Sequence, residues 1–132
     1  MGRAIAAVVA AEVVWSVLWI GGGFAAQAAF PDIIDPTRPL THMGALLSYI
    51  AYSVVLSVLA GWVAAAVKGA SPMRTVWVFA WIQLAIGIGF EASYWSLMPV
   101  WYHLVFLALL VPATVWGGSL RAGSARPAVA AA

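Results

Sequence analysis

Four apolar stretches, each long enough to cross a lipid bilayer, constrain this 132-residue chain more than any other feature. They cover residues 4–29, 43–67, 75–94 and 101–118. A helix needs about 20 apolar residues to cross the hydrocarbon core, which is roughly 30 Å thick. Because backbone groups in lipid must be hydrogen-bonded within the protein, we expect these stretches to be helices rather than strands. The sequence therefore predicts an all-α fold: an integral membrane, antiparallel four-helix transmembrane bundle, with one domain over residues 1–120.

The segments between the stretches are rich in residues that form turns. Residues 31–39 read PDIIDPTRP, residues 68–74 read KGASPMR, and residues 96–99 end in proline. Proline and glycine at these positions interrupt helices and favour short connections. Residues 121–132 are small and weakly polar, and we expect them to form a flexible cytoplasmic tail.

Composition excludes the main alternatives to a membrane protein. The chain is 65% hydrophobic and only 8% charged, whereas an ordinary soluble domain has about 25% charged residues. Cysteine is absent, which excludes disulfides and zinc–thiolate sites. The net charge of +2 with scattered basic residues does not indicate a partner nucleic acid. The sequence also contains no recognisable catalytic set, which favours a protein that is not an enzyme.

The basic residues in the connections predict the orientation. Five of the six lie on the side that both termini share: Arg3, Lys68, Arg74, Arg121 and Arg126. Short cytoplasmic loops are enriched in Lys and Arg, so we expect a bacterial inner (cytoplasmic) membrane protein with cytoplasmic N- and C-termini. The first stretch also has a signal-peptide-like small-x-small site at 26–28, but its length and Glu12 favour a retained helix.

An intramembrane polar layer is predicted from residues on three helices: Glu12, Ser16, Ser57 and Gln83. Glu12 and Gln83 each lie nine residues from a basic residue on the same side, which is roughly 13 Å at 1.5 Å per residue. A carboxylate at this depth costs about 2.5–3.5 kcal/mol on insertion scales. Two interpretations of Glu12 stay open: a hydrogen-bonded group that fixes helix register, or a carboxyl that exchanges protons or binds a ligand.

A helix-packing surface is predicted on the second stretch. Its members are small and follow an i+4 spacing: Ser53, Ser57, Gly61 and Ala65. This spacing places them on one helix face, and small residues allow another helix to approach closely.

A second polar cluster is predicted at the outer face: Asp32, Asp35, Arg38, His42, Glu91 and His103. We interpret it as an interfacial rim in which Arg38 pairs with Asp35 or Glu91 and His103 anchors in the headgroups. Alternatively, His42 and His103 bind a haem or a metal, because imidazole is a common ligand of both. Their spacing matches no metal motif, so we assign no metal ligand and leave the cofactor open.

Two short segments resemble known families. Residues 95–121 read WSLMPVWYHLVFLALLVPATVWGGSLR and resemble the C-terminal half of a loose class of uncharacterised bacterial four-helix inner-membrane proteins. That resemblance implies a four-span fold and no particular activity. Residues 10–13 read AAEV, similar to the first helix of small multidrug resistance transporters, where an intramembrane glutamate binds cations and protons. This second resemblance implies that Glu12 is the coupling carboxylate.

Three functions follow from these interpretations. The sequence favours a non-enzymatic accessory subunit or scaffold of a larger membrane complex. Its partners would be membrane lipids together with other membrane proteins or a second copy of the chain. The second hypothesis is a proton-coupled transporter of small hydrophobic cations, in which Glu12 exchanges the proton and Trp15, Trp19 and Tyr52 are stacking surfaces. The third is a haem- or metal-binding bundle that uses His42 and His103.

Overall fold

The computed structural model describes residues 1–124, and these form four long helices without a strand. The helices are α1 (Gly2–Ala29), α2 (Met43–Lys68), α3 (Met73–Ser93) and α4 (Val100–Ser124), and a 3₁₀ turn at Trp95–Leu97 precedes α4. All four helices are long and apolar enough to cross a membrane. The predicted all-α four-helix transmembrane bundle is therefore confirmed.

Capping residues determine where α2 begins and ends, at the predicted connections. The Nδ1 atom of His42, the N-cap of α2, accepts a hydrogen bond of 3.1 Å from the backbone N–H of Ala45. At the other end of α2, Gly69 adopts a φ of 75°. This left-handed conformation is strained for residues with a Cβ, so glycine suits the helix end.

The fourth helix is longer than the sequence predicts. It continues to Ser124 instead of ending at residue 118, so residues 121–124 of the predicted tail are helical. The predicted fourth stretch ended at the glycine pair Gly117–Gly118, but both residues are buried against neighbouring helices. These glycines therefore serve close packing rather than termination. The rest of the predicted tail, residues 125–132 with Arg126, lies outside the described residues.

The most extensive helix contact joins α2 and α4, which run parallel to each other. A Cβ added at Gly61 would overlap the backbone carbonyl of Thr114, and one added at Gly117 would overlap the carbonyl of Val58. Of the predicted packing surface on α2, Ser53, Ser57, Gly61 and Ala65 are all buried. Small residues thus bring these two backbones together, as in other transmembrane helix pairs.

The remaining helices flank this central pair. Helix α1 packs on α2 and α3 packs on α4, whereas α1 and α3 make a much smaller contact with each other. A hydrogen bond from Leu40 N to Leu97 O, 2.7 Å long, joins the α1–α2 connection to the 3₁₀ turn. We call this end of the bundle the loop end. The arrangement leaves a cleft between α1 and α3 that extends towards the loop end.

Candidate functional site: the cleft between α1 and α3

A chain of hydrogen bonds joins four side chains at the centre of the bundle. The Thr114 hydroxyl donates to Gln83 Oε1 at 2.6 Å, and Gln83 Nε2 donates to Ser57 Oγ at 3.5 Å. The Trp15 indole N–H donates to the same Ser57 oxygen at 3.1 Å. These four side chains belong to four different helices and all are buried. The network therefore fixes helix register at mid-depth.

Glu12 lies outside this network. Its Oε1 accepts a hydrogen bond of 3.0 Å from the Ser16 hydroxyl, one turn along α1. Its Oε2 is buried and has no hydrogen-bond partner within residues 1–124. Glu12 and Gln83 line the same small cavity of about 80 Å³ but do not bond to each other. The predicted single polar layer is therefore split, because the buried face of α1 follows Trp15 and Trp19 and leaves Glu12 at its edge.

A larger cavity of about 410 Å³ adjoins the small one towards the loop end. Both cavities are lined by Trp19, Ile20 and Phe90, so they form one continuous cleft between α1 and α3. The walls are mostly apolar, and the few polar groups include Glu91 and Tyr49. Cavities of this size with apolar walls and a small number of polar groups are typical of small-molecule sites.

Glu91 and His103 form a buried pair beside the larger cavity. The pair joins Nδ1 of His103 to Oε2 of Glu91, and both side chains are at most 3% exposed. The other ring nitrogen, Nε2, lies 3.2 Å from the backbone carbonyl oxygen of Trp95.

This geometry fixes the number of protons on the pair. A carbonyl oxygen only accepts, so Nε2 of His103 carries a hydrogen and donates it to Trp95. Nδ1 then either donates to an ionised Glu91 or accepts from a protonated one. In both forms Glu91 and His103 share one proton, and the net charge of the pair is zero.

Aromatic rings line the walls of the cleft. The Trp15 and Trp19 rings stack at a centroid distance of 5.3 Å, and Trp19 also lies 5.3 Å from Phe106. Tyr102 is 0% exposed, lines the larger cavity, and packs 5.9 Å from Phe106. The Tyr102 hydroxyl has no hydrogen-bond partner within residues 1–124, which is unusual because buried polar groups are nearly always paired.

The α1–α2 connection lines the loop end of the cleft and contains a second ion pair, between Asp35 and Arg38. Asp35 Oδ2 accepts from Arg38 Nε at 2.8 Å, and Asp35 Oδ1 accepts from both the hydroxyl and the backbone N–H of Thr37. The hydrogen bonds from Thr37, followed by that from Arg38, hold the pKa of Asp35 below its ordinary value. Asp35 and Arg38 both line the larger cavity, so the charges there form a pair.

The predicted outer-face cluster is therefore not a single cluster. Arg38 pairs with Asp35 rather than Glu91, Asp32 is exposed, and His42 caps α2. His103 is fully buried instead of lying in the headgroups, because Glu91 binds one side of its ring and Trp95 stacks on it at 4.5 Å.

The histidines are not arranged as a metal site. Both ring nitrogens of His103 are already hydrogen-bonded, and Nδ1 of His42 accepts from its own helix. Within residues 1–124, no group of three or more His, Asp or Glu side chains is positioned to hold a metal ion. This arrangement does not favour the haem or metal hypothesis.

Tyr52 has a different place from the one that the transporter hypothesis requires. Its ring stacks on Trp19 at 6.0 Å, but its hydroxyl donates to the Leu18 carbonyl at 2.6 Å. It lines a separate cavity of about 430 Å³ between α1 and α2. Trp15 and Trp19 line the small cavity next to Glu12, which we call the chamber of Glu12. Only these two of the three predicted stacking surfaces therefore face the cleft.

Tyr102 was not among the residues predicted from the sequence, although its hydroxyl is, after Glu12, the second unpartnered group among the cleft residues that the structure describes. The signal was weak: Tyr102 and Phe106 are one turn apart on α4 and form one aromatic face, but aromatic residues occur throughout the chain. Comparison with known proteins adds nothing to the assignment, since no family model, curated protein or solved structure matches the chain.

Proposed function

We propose that this protein binds small hydrophobic cations in the cleft between α1 and α3, in exchange for a proton on Glu12. The observation that carries the proposal is the buried Oε2 of Glu12, which has no partner within residues 1–124. An uncompensated carboxylate in a membrane helix is costly, and such residues commonly mark ion or proton sites.

The distribution of charge supports an exchange reaction. The chain has four acidic residues, and all lie in the described part. Asp35 is paired with Arg38, Glu91 with His103, and Asp32 is exposed in a connection. Within residues 1–124, only Glu12 lies in a membrane helix without a basic partner. Neutrality at Glu12 therefore requires either a proton or a cation from outside the described residues, and the two exclude each other.

The walls of the chamber favour an apolar cation over a small hydrated one. Trp15, Trp19 and Phe106 line it together with Glu12. Aromatic faces attract cations by about 0.5–2 kcal/mol, and the attraction is stronger where water is excluded. A singly charged organic cation loses less hydration on entering such a site than a metal ion does.

The test is proton release on addition of tetraphenylphosphonium to the purified protein in weakly buffered detergent solution. The wild-type protein is expected to bind the cation saturably and to release up to about one proton per site. The variant Glu12→Gln, whose amide oxygen can still accept from Ser16, should release none and bind more weakly. Asp32→Asn, which removes an exposed acidic residue, is the matched control and should behave as wild type. Equal proton release from Glu12→Gln, or an absence of saturable binding, would refute the proposal.

We further infer that the protein lies in the bacterial inner membrane with both termini in the cytoplasm. The basic residues Arg3, Lys68, Arg74 and Arg121 all lie at the end of the bundle opposite the loop end, as the positive-inside rule favours. Because the chain has no cysteine, single cysteines at Ser71 and Ser96 can be labelled without background. An impermeant maleimide should reach only Ser96→Cys in intact cells; labelling of both from outside would contradict this orientation.

The accessory-subunit hypothesis stays a prediction. It is tested by purification in mild detergent at native expression level, in which a stable partner would co-purify in fixed proportion. Purification of the chain without a partner, with cation binding intact, would contradict the accessory-subunit hypothesis and would show that cation binding in the cleft needs no other protein.

A further inference from the structure

We propose that the ligand of the cleft is an elongated monocation with a neutral hydroxyl group at its far end. Its ammonium would occupy the chamber of Glu12, and its hydroxyl would occupy the larger cavity beside Tyr102 and Glu91. The position of the ammonium end rests on the function proposed above. The position and the neutral character of the hydroxyl end follow from the residues that line the larger cavity.

Among residues 1–124, two residues that line the cleft have a buried polar atom without a hydrogen-bond partner. One is Glu12, through Oε2, which lines the small cavity, and the other is Tyr102, through its hydroxyl, which lines the larger cavity. Gln83 shares the chamber of Glu12, and Glu91 shares the cavity of Tyr102. Along α3 these two levels are eight residues apart, or about 12 Å at 1.5 Å per residue. One extended molecule therefore has a polar site at each end and apolar walls between them.

The charges in the larger cavity exclude a second ammonium group. Glu91 and His103 share one proton and are neutral together, and Asp35 is compensated by Arg38. A second cation there would have no free counter-charge, and an unpaired buried charge is strongly unfavourable. The ligand group at this end is therefore neutral.

The available hydrogen bonds favour a hydroxyl over other neutral groups. Tyr102 offers an O–H donor, and Glu91 has a second carboxyl oxygen, Oε1, that His103 does not use. A hydroxyl can accept from Tyr102 and donate to Glu91 Oε1 at the same time. A carbonyl group could accept a hydrogen bond from Tyr102 but could not donate one to Glu91, and an alkyl end could form neither bond.

The experiment compares octylamine with 8-aminooctan-1-ol as competitors of radiolabelled tetraphenylphosphonium on the full chain. The ratio of their dissociation constants is measured for wild type and for Tyr102→Phe, so that partition into the micelle cancels. One neutral hydrogen bond contributes about 0.5–1.5 kcal/mol, so Tyr102→Phe should weaken the amino alcohol relative to octylamine by about 2- to 10-fold. Tyr52→Phe, which lies outside this cleft, should leave the ratio unchanged.

Two further competitors sharpen the result. We expect 1,8-diaminooctane to bind at least about tenfold more weakly than the amino alcohol because of its second charge. The short 3-aminopropan-1-ol cannot reach both sites and should show no dependence on Tyr102.

Each outcome decides between the two proposals. If octylamine binds in a Glu12-dependent manner but the ratio is the same in Tyr102→Phe, the hydroxyl assignment is wrong and the cation site stands. Equal binding of the diamine and the amino alcohol also overturns the monocation assignment. If no amine displaces the probe from wild type, the assignment of an elongated monocation is wrong, whereas the cation site is still decided by proton release on addition of tetraphenylphosphonium.

Discussion

Replacing Gly61 with alanine is expected to destabilise the protein, because it separates the two helices on which the cleft is built. A Cβ at this position would overlap the backbone carbonyl of Thr114 on α4. A flexible side chain could rotate away, but a helix carbonyl cannot, so α2 and α4 must move apart. Thr114 also donates the 2.6 Å hydrogen bond to Gln83, and the movement would therefore strain the central network.

The size of the effect is the difference between two terms. Overpacking of a well-packed contact costs about 1–3 kcal/mol. Alanine in place of glycine at an unstrained helical position contributes about 0.4–1 kcal/mol of stability. For Gly61→Ala the first term should dominate, and the free energy of unfolding should fall by about 1–2 kcal/mol. Gly89→Ala in α3 is the matched control, because a Cβ there meets nothing within 4 Å, and it should be neutral or slightly stabilising.

The assay is reversible unfolding of each variant in mixed micelles, with tryptophan fluorescence as the readout. The sign of the difference between the two glycines is the decisive quantity. If Gly61→Ala is as stable as Gly89→Ala, then α2 and α4 are not in backbone contact at this position. The reasoning about the bundle core would then be refuted.

Three other predictions follow from individual side chains. Thr114→Val leaves the buried Gln83 carbonyl oxygen without its donor and should lower the free energy of unfolding by about 1–3 kcal/mol; the double variant with Gln83→Leu should recover part of that loss in the same assay. Tyr102→Phe removes an unpartnered buried hydroxyl and should raise the free energy of unfolding of the ligand-free protein by about 1 kcal/mol, so a loss of stability would show that the hydroxyl has a partner. The α1–α2 connection should lose hydrogen-exchange protection as the pH falls through the lowered pKa of Asp35. The hydrogen bonds from Thr37 and Arg38 stabilise the Asp35 carboxylate above that pH and are lost when the carboxylate is protonated below it. The variant Asp35→Asn should show no such pH dependence.

The fold could be predicted because the bilayer imposes it. The length of each apolar stretch and the turn residues between them determine the number of helices and their approximate ends. The end of α4 was the exception, since the sequence does not distinguish a glycine pair that ends a helix from one that packs against a neighbour. Only the contacts of Gly117 with Val58 and of Gly118 with Val76 identify the second case.

The candidate site could be predicted only in part, because depth is easier to infer than rotation about a helix axis. The predicted polar layer placed Ser57 and Gln83 at one level, and the two side chains form a hydrogen bond in the structure. The same prediction placed Glu12 at that level, yet its carboxyl is bonded to Ser16 on its own helix and not to Gln83. Whether a polar side chain joins a network or faces a cavity depends on how its helix is rotated about its axis, and a uniformly apolar helix carries no strong sequence pattern that sets this rotation.

The sequence alone does not distinguish Glu12 from the other acidic residues, because their partners are known only from the three-dimensional structure. By position along the chain, Glu91 is as plausible a spare carboxyl as Glu12, and Arg38 is an available partner for either Asp35 or Glu91. The structure assigns Arg38 to Asp35 and His103 to Glu91, which uses up the groups that could neutralise a carboxylate near the loop end. Of the two acids left unpaired within residues 1–124, Asp32 is exposed in a connection and Glu12 lies in a helix that can span the membrane, where an uncompensated charge is costly. The proposed cation site on Glu12 therefore depends as much on the partners of the other carboxyl groups as on Glu12 itself.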